Sequence, residues 1–134
     1  MEVRDPVHGS IHIAKEIIPV IKHGFFQRLR YIKQLGFSEY VFPGASHTRF
    51  IHSIGVMHVG SRMYRAMVEN SIKRAVKEGK HALQPETVEA ISFFHTLVRC
   101  ACLLHDVGHS SFSHQFNRTE TIKNELAKTH RFPT

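Results

Sequence analysis

The residues best suited to chemistry lie in Leu103-Leu104-His105-Asp106-Val107-Gly108-His109, where an apolar run leads into an adjacent His-Asp pair. Burying a carboxylate and an imidazole there is costly unless something compensates, and a divalent cation does so. Neighbours on a helix point about 100° apart, so both can reach one ion beside the helix end. The imidazole offers nitrogen and the carboxylate oxygen, a mixed set that suits Mn or Fe first, then Zn, with Mg less favoured. His109 follows His105 by four residues, one helical turn on, and His114 lies five further along. Upstream, in Gly44-Ala45-Ser46-His47-Thr48-Arg49-Phe50-Ile51-His52, a separate helix offers His52 as a third ligand. Arg49, three residues earlier on the same face, brings a guanidinium suited to paired hydrogen bonds with phosphate. Singly these residues are ordinary: an isolated His-Asp pair is mostly a solvated helix end, and a lone His52 a satisfied core histidine. Grouped, they read as a metal-centred phosphate site.

The elements that must position them are almost all helical. Residues 1–12 read as extended chain and turn, with breakers at Asp5-Pro6 and His8-Gly9 and a short β element near residues 10–13 at most. A helical pattern from Ala14 to His23 carries Ile17, Ile18 and Ile21, with Pro19 interrupting it or sitting in its first turn, and Gly24 ends it. The spacing predicts a second helix over Phe25–Leu35, with Phe25, Leu29 and Ile32 as its apolar stripe. Tyr40–Gly44 is a loop. A long helix spans about Thr48–Lys77, with Ile51, Ile54, Val59 (or His58) and Met63 inward, and Glu78–Gln84 is a polar loop. Pro85 opens the next helix, whose inward stripe is Val88, Ile91, Phe94, Val98, Ala101 and Leu104. Its apolar run from Phe93 to Leu104 marks it as the central buried helix, closed by Gly108. Ser110–Asn117 and Thr119–Lys128 read as shorter helices. The fold class is all-α, a single domain over residues 1–134.

Composition narrows the function classes. The 134 residues are 42% hydrophobic and 22% charged, enough for a packed core. The reading finds no apolar run near the ~20 residues of a membrane span and no signal-peptide pattern in MEVRDPVHGS, so the expectation is an intracellular protein, cytoplasmic or nuclear, without a membrane partner. The net charge of +7 fits a solvated basic surface or an anionic ligand, nucleotide or nucleic acid alike. Cys100 and Cys102 diverge by roughly 200° on a helix and read as small buried hydrophobes in a reducing compartment. The 12 histidines are scattered, a density that points to metal or acid–base chemistry.

Three stretches together resemble the HD-domain deoxynucleotide triphosphohydrolases: Asp5-Pro6-Val7-His8-Gly9; Phe26-Gln27-Arg28-Leu29-Arg30-Tyr31-Ile32-Lys33-Gln34-Leu35-Gly36 with Val41–His47; and His105-Asp106-Val107-Gly108-His109 with Phe112-Ser113-His114. The resemblance covers nearly all of residues 4–117. It implies an HD-domain helical bundle, of which this chain is the N-terminal portion, and a divalent metal held by His52, His105, Asp106 and a further Asp. It implies hydrolysis of deoxynucleoside triphosphates at the α-phosphate to deoxynucleoside and triphosphate. Arg49 and His109 would contact phosphates, His114 would protonate the leaving 5′-oxygen, and Gln34 and Leu35 would line the sugar, the leucine crowding a ribose 2′-hydroxyl. The family is commonly oligomeric, so a homo-oligomer is expected.

The chain departs from the family in several places, one of them the loop around Lys77–Pro85, which lengthens the path between His52 and His105. No Asp follows Asp106, so the expectation is a chain truncated before the last metal-binding Asp. Asn117 stands where relatives carry the acid that orients the catalytic histidine; an amide hydrogen-bonds but cannot stabilise an imidazolium by charge. His130 matches a supporting family histidine with imperfect spacing. Gln27 and Arg30 match an activator site of animal members, but Lys22 replaces its guanine-reading acid. Two alternatives accompany this reading: an HD phosphohydrolase acting on another nucleotide, and a degenerate HD module that binds nucleotide or nucleic acid.

Overall fold

The computed structural model describes residues 1–79 and 84–109. The expected helices over Ser110–Asn117 and Thr119–Lys128 lie outside the described residues, as do His114, Asn117 and His130.

The chain opens with a hairpin, β1 (Glu2–Asp5) paired antiparallel with β2 (Gly9–His12), Val3 opposite Ile11. Its turn is made by Asp5, whose Oδ1 accepts from the backbone N–H groups of Val7 and His8, each at 2.8 Å. This local side-chain turn, with Gly9 at a φ of 71°, folds the chain back where the sequence suggested one short strand. A 3-10 turn (Lys15–Ile17) leads into α1 (Ile18–Lys22), with Pro19 in the first turn, where its missing N–H costs no helix bond. Ile17 and Ile21 are buried as expected.

The helix expected over Phe25–Leu35 is broken. It consists of α2 (Gly24–Gln27) and a 3-10 turn (Arg28–Tyr31), after which Ile32 is extended. The buried residues are Phe26, Leu29 and Ile32, and Phe25 is 68% exposed. A spacing of three is that of a 3-10 turn, whose side chains at i and i+3 eclipse. The cause of the break is competition: Ile32 O accepts from Arg49 N–H (2.8 Å), Gln34 N–H donates to His47 O (3.1 Å), and Lys33 forms an isolated bridge with Thr48. Residues 32–34 thus bond to the segment that starts the long helix.

That helix, α3 (Arg49–Lys77), ends as Gly79 takes a φ of 72° and donates to Val76 O. It runs antiparallel to α4 (Pro85–Leu104), which begins with Pro85 in its first turn. The core gathers Ile11, Ile13, Ile17, Ile21, Phe26 and Leu29 under Phe50, Ile54 and Met57 of α3 and Leu103 of α4. Along α3, Gly60, Ser61 and Tyr64 meet α4, and Ile54 and Met57 join the core; Val59 and Met63, expected inward, are 39% and 68% exposed.

The expectation for α4 is overturned more strongly. Leu103 is its one buried residue, while Phe93, Phe94 and Leu97 are at least half exposed. Among the described residues α4 packs chiefly on α3, through Ile91, His95 and Cys102, so its other face has nothing against it. By length and composition α4 is also long and apolar enough to cross a membrane. This corrects the expectation of no such run: Glu89, His95 and Arg99 interrupt the apolar residues, but the helix as a whole stays apolar enough. Core helices of soluble proteins pass the same test. Cys100 and Cys102 are both free and half-buried.

The two long helices meet closely at Gly60, where an added Cβ would lie 2.5 Å from Cys102 Sγ. Gly60→Ala should therefore destabilise the fold by about 1–3 kcal/mol in denaturant melts, the overlap outweighing the roughly 1 kcal/mol that alanine gains over glycine in a helix. Adding Cys102→Ala should restore the loss. A neutral or stabilising Gly60→Ala on its own would show that the helices do not meet there.

Candidate metal centre

Each member of the His-Asp group sits at a helix end that the core fixes. Phe50, on the first turn of α3, packs its ring 5.3 Å from that of Phe26, and the Arg30 guanidinium caps its face at 3.6 Å. Arg30 is itself oriented by Gln27, whose Oε1 accepts from Arg30 Nε at 2.8 Å. This anchors Arg49 and His52. At the other end, fully buried Leu103 anchors the terminus of α4, with His105 as its cap and Asp106 in the following turn.

Asp106 is the hub. It is 7% exposed. Its Oδ2 lies 2.5 Å from Arg49 Nη1 and 3.7 Å from His52 Nε2. Its Oδ1 lies 3.4 Å from both His105 Nε2 and His109 Nε2. Nitrogen and oxygen atoms each about 2.0–2.2 Å from one ion sit roughly 3–4 Å from each other. The nitrogens of His52 and His105 stand at such distances from Asp106, and one ligand atom from each of the three lies within 4.8 Å of the others, so a small inward adjustment would close them on one ion.

The hydrogen bonding around the imidazoles also fits a metal. His105 Nδ1 lies 2.8 Å from Cys102 O, so Nδ1–H donates to that carbonyl and Nε2 is the ring nitrogen that faces Asp106. The pKa of His52 is lowered, first by burial and then by the neighbouring charges of His105, Arg49 and His47, against the opposing pull of Asp106. A neutral imidazole is the form that binds a metal.

The structure thus brings together five of the residues singled out from the sequence: Arg49, His52, His105, Asp106 and His109. Gln34 and Leu35 are half-buried on the segment bonded to the start of α3, and Gln34 Oε1 is buried with no hydrogen-bond partner among the described residues. Alongside α3 runs an open cleft of about 930 Å³, with His52 on its lining beside Ile51 and Gly55, and with His8 and His47 on its walls.

Arg28 was not identified as part of the site. Its Nη1 donates to His109 O at 3.0 Å and its Nη2 to Val107 O, so one guanidinium clamps the turn that carries Asp106 and His109. Spacing gives no hint of a contact across 81 residues, and the turn itself offers no signal, since it carries two arginines and Leu29 is its one buried residue. Arg28→Ala should weaken divalent-metal affinity about tenfold or more, the usual effect of removing a group that orients metal ligands. Isothermal titration with Mn²⁺ measures it. Arg28→Lys should recover only part, because an ammonium cannot bridge two carbonyls as a guanidinium does. Unchanged affinity in Arg28→Ala would show that the turn holds its shape without the clamp.

Comparison with known proteins agrees with this geometry. The family described as HD domain matches residues 49–133, from Arg49 through the whole His-Asp group. The chain is 43% identical over 115 residues to the human deoxynucleoside triphosphate triphosphohydrolase SAMHD1 and 40% identical over 115 residues to the Bos taurus protein of that name; each match covers 86% of this chain. It is 38% identical over 130 residues, 97% of the chain, to the Dictyostelium discoideum SAMHD1 homologue. The chain spans only 16%, 17% and 22% of those three proteins' own lengths. The match runs over more than half of the chain and takes in Arg49, His52, His105 and Asp106, and the chain belongs to the HD domain family.

Proposed function

We propose that the chain is the metal-binding part of a phosphohydrolase that cleaves deoxynucleoside triphosphates to deoxynucleoside and triphosphate. The observation that carries this is the buried Arg49 guanidinium set directly against the His52–His105–Asp106 group. A metal ion beside a guanidinium is an arrangement for a phosphate ester. The relatives' printed activity on deoxynucleoside triphosphates supplies the substrate class.

His52, His105 and Asp106 would hold a divalent ion, Mn or Fe before Zn or Mg. When bound, that ion supplies Lewis-acid polarisation of a phosphoryl oxygen. Arg49 would bind phosphate oxygens through paired hydrogen bonds, held in place by Asp106. His109, against the same carboxylate, would add a donor to the phosphates. Gln34 would offer its buried, unsatisfied amide to the sugar, and Leu35 beside it would exclude a 2′-hydroxyl. Water adds to the α-phosphorus, the bond to the 5′-oxygen breaks, and that oxygen takes a proton as the deoxynucleoside leaves with triphosphate as the other product. His114 would deliver the proton, with Asn117 hydrogen-bonding to it; both lie outside the described residues. The remaining parts of the proposal are a homo-oligomeric, intracellular enzyme, cytoplasmic or nuclear, with half-buried free cysteines in a reducing compartment.

The test measures metal content and deoxynucleoside triphosphate turnover on the full protein, with products separated. Triphosphate release is expected, with losses of at least about a hundredfold in His105→Ala and Asp106→Ala as the bound metal disappears. Release of orthophosphate or pyrophosphate instead would assign the HD site to another phosphohydrolase reaction. Bound metal with no turnover of any deoxynucleoside triphosphate would remove the proposed substrate.

A further inference from the structure

A second polar cluster lies between the middle of α3 and the middle of α4, on residues that the metal centre does not use. Ser61 Oγ and His95 Nε2 are 2.8 Å apart across the helix interface, and Ser61 is buried. Arg65, one turn along α3, donates from Nη2 to Ser61 Oγ at 3.5 Å. With its oxygen accepting from Arg65 and no other acceptor for its hydroxyl among the described residues, Ser61 donates to His95 Nε2. In that arrangement Nε2 of His95 is the acceptor and Nδ1 carries the proton, leaving one N–H for another partner. Tyr64 locks the imidazole from the side: its ring stacks on His95 at 5.4 Å and 8°, and its hydroxyl donates to Ile91 O at 3.0 Å. Arg99 stands one turn beyond His95 on α4.

This cluster is rich in donors and short of acceptors. Among the described residues neither Arg65 nor Arg99 is paired with a carboxylate. Both arginines act on His95, lowering its pKa in addition to the larger effect of burial. Arg62 and Arg65 act likewise on His58 nearby, where burial and His8 are the larger causes and only Asp5 opposes them. Guanidiniums that no carboxylate pairs with among the described residues, set around N–H donors, favour an anion. Beside it opens a cleft of about 310 Å³ lined by Tyr64, Arg65, Val68, Ile91 and His95, with one acidic residue, Glu69, also on its lining.

We propose that Arg65, His95 and Arg99 form a phosphate-binding site separate from the metal centre, taking the oxyanion of a small phosphate compound. Arg65 and His95 line the cleft, and Arg99, one turn from His95 on the same face of α4, is long enough to reach toward its mouth; such a set suits several oxygens on one tetrahedral centre better than the two oxygens of a single carboxylate.

The test titrates the ¹⁵N-labelled full chain with sodium tripolyphosphate and, separately, with orthophosphate, following the ring nitrogens of His95. A saturable shift at Nδ1 is expected. Arg65→Gln with Arg99→Gln should weaken it about tenfold, and His105→Ala should leave it unchanged. Orthophosphate binding as tightly as tripolyphosphate would mark a single-phosphate site, and tighter tripolyphosphate a site for the polyphosphate of a nucleotide; either supports the proposal. It is overturned by the absence of a saturable His95 shift in the wild-type chain, a readout that stands even if the double variant fails to fold. Equal affinity in the double variant overturns it too, as does loss in His105→Ala, which would place the phosphate on the metal centre. A response to single-stranded oligonucleotide alone, falling steeply with salt, would replace it with a nucleic-acid surface.

Discussion

The structure depends on one buried ion pair, Arg49 with Asp106, which joins the start of α3 to the end of α4. Two charges taken out of water this fully lose hydration that their mutual attraction only partly returns, and either one left alone is strongly unfavourable. The pair is therefore poor material for stability and strong material for specificity: once the helices dock, only one register places guanidinium against carboxylate. The imidazoles of His52, His105 and His109 gather round the same two oxygens. A docking error of one residue on either helix would scatter all of them.

Everything N-terminal to α3 serves to hold that register. The hairpin and the short helices build the floor under Phe50, Ile54 and Leu103. The broken helix of residues 24–31 does two things a continuous helix could not. It releases residues 32–34 to bond with the chain entering α3, and it turns Arg28 toward the carbonyls of Val107 and His109. The site is thus braced on both helices by one short segment, which also carries Gln34 and Leu35.

Much of the site was legible in the sequence because metal chemistry restricts residue type so sharply. An apolar helix ending in His105-Asp106 asks for a compensating partner, and His52 and Arg49 supply it one turn apart. The long helices were legible as well, because Pro85 and Gly79 punctuate them chemically. The break after Gln27 was not, since Phe25, Leu29 and Ile32 fit an α-helical stripe as well as Phe26, Leu29 and Ile32 fit a 3-10 turn. The choice was made by backbone bonds to His47 and Arg49, which no local pattern encodes. The face of α4 failed for a different reason. Its apolar residues lie nearly all round the helix, so periodicity had no preferred direction, and the contacts that chose Ile91, His95 and Cys102 depend on Gly60 and Ser61 of α3.

The placement of charge at the two helix ends runs against the helix dipoles. Arg49 occupies the first turn of α3, the positive end, and Asp106 follows the last turn of α4, the negative end, so each residue faces the pole that disfavours it. Swapping the two charges would suit both helices better in isolation. The observed order makes sense through what the ends then offer. The Cys102 carbonyl in the last turn of α4 accepts from His105 Nδ1–H, and the Val107 and His109 carbonyls of the following turn accept from Arg28, so the cation that holds this end comes from a separate segment. A carboxylate at a negative pole, with imidazole nitrogens gathered round it, is a strong acceptor for a dication. A guanidinium at a positive pole is a strong receptor for phosphate. The dipoles that oppose Arg49 and Asp106 as single residues act together in favour of the ligands that such a site would take, a cation on one side and an anion on the other.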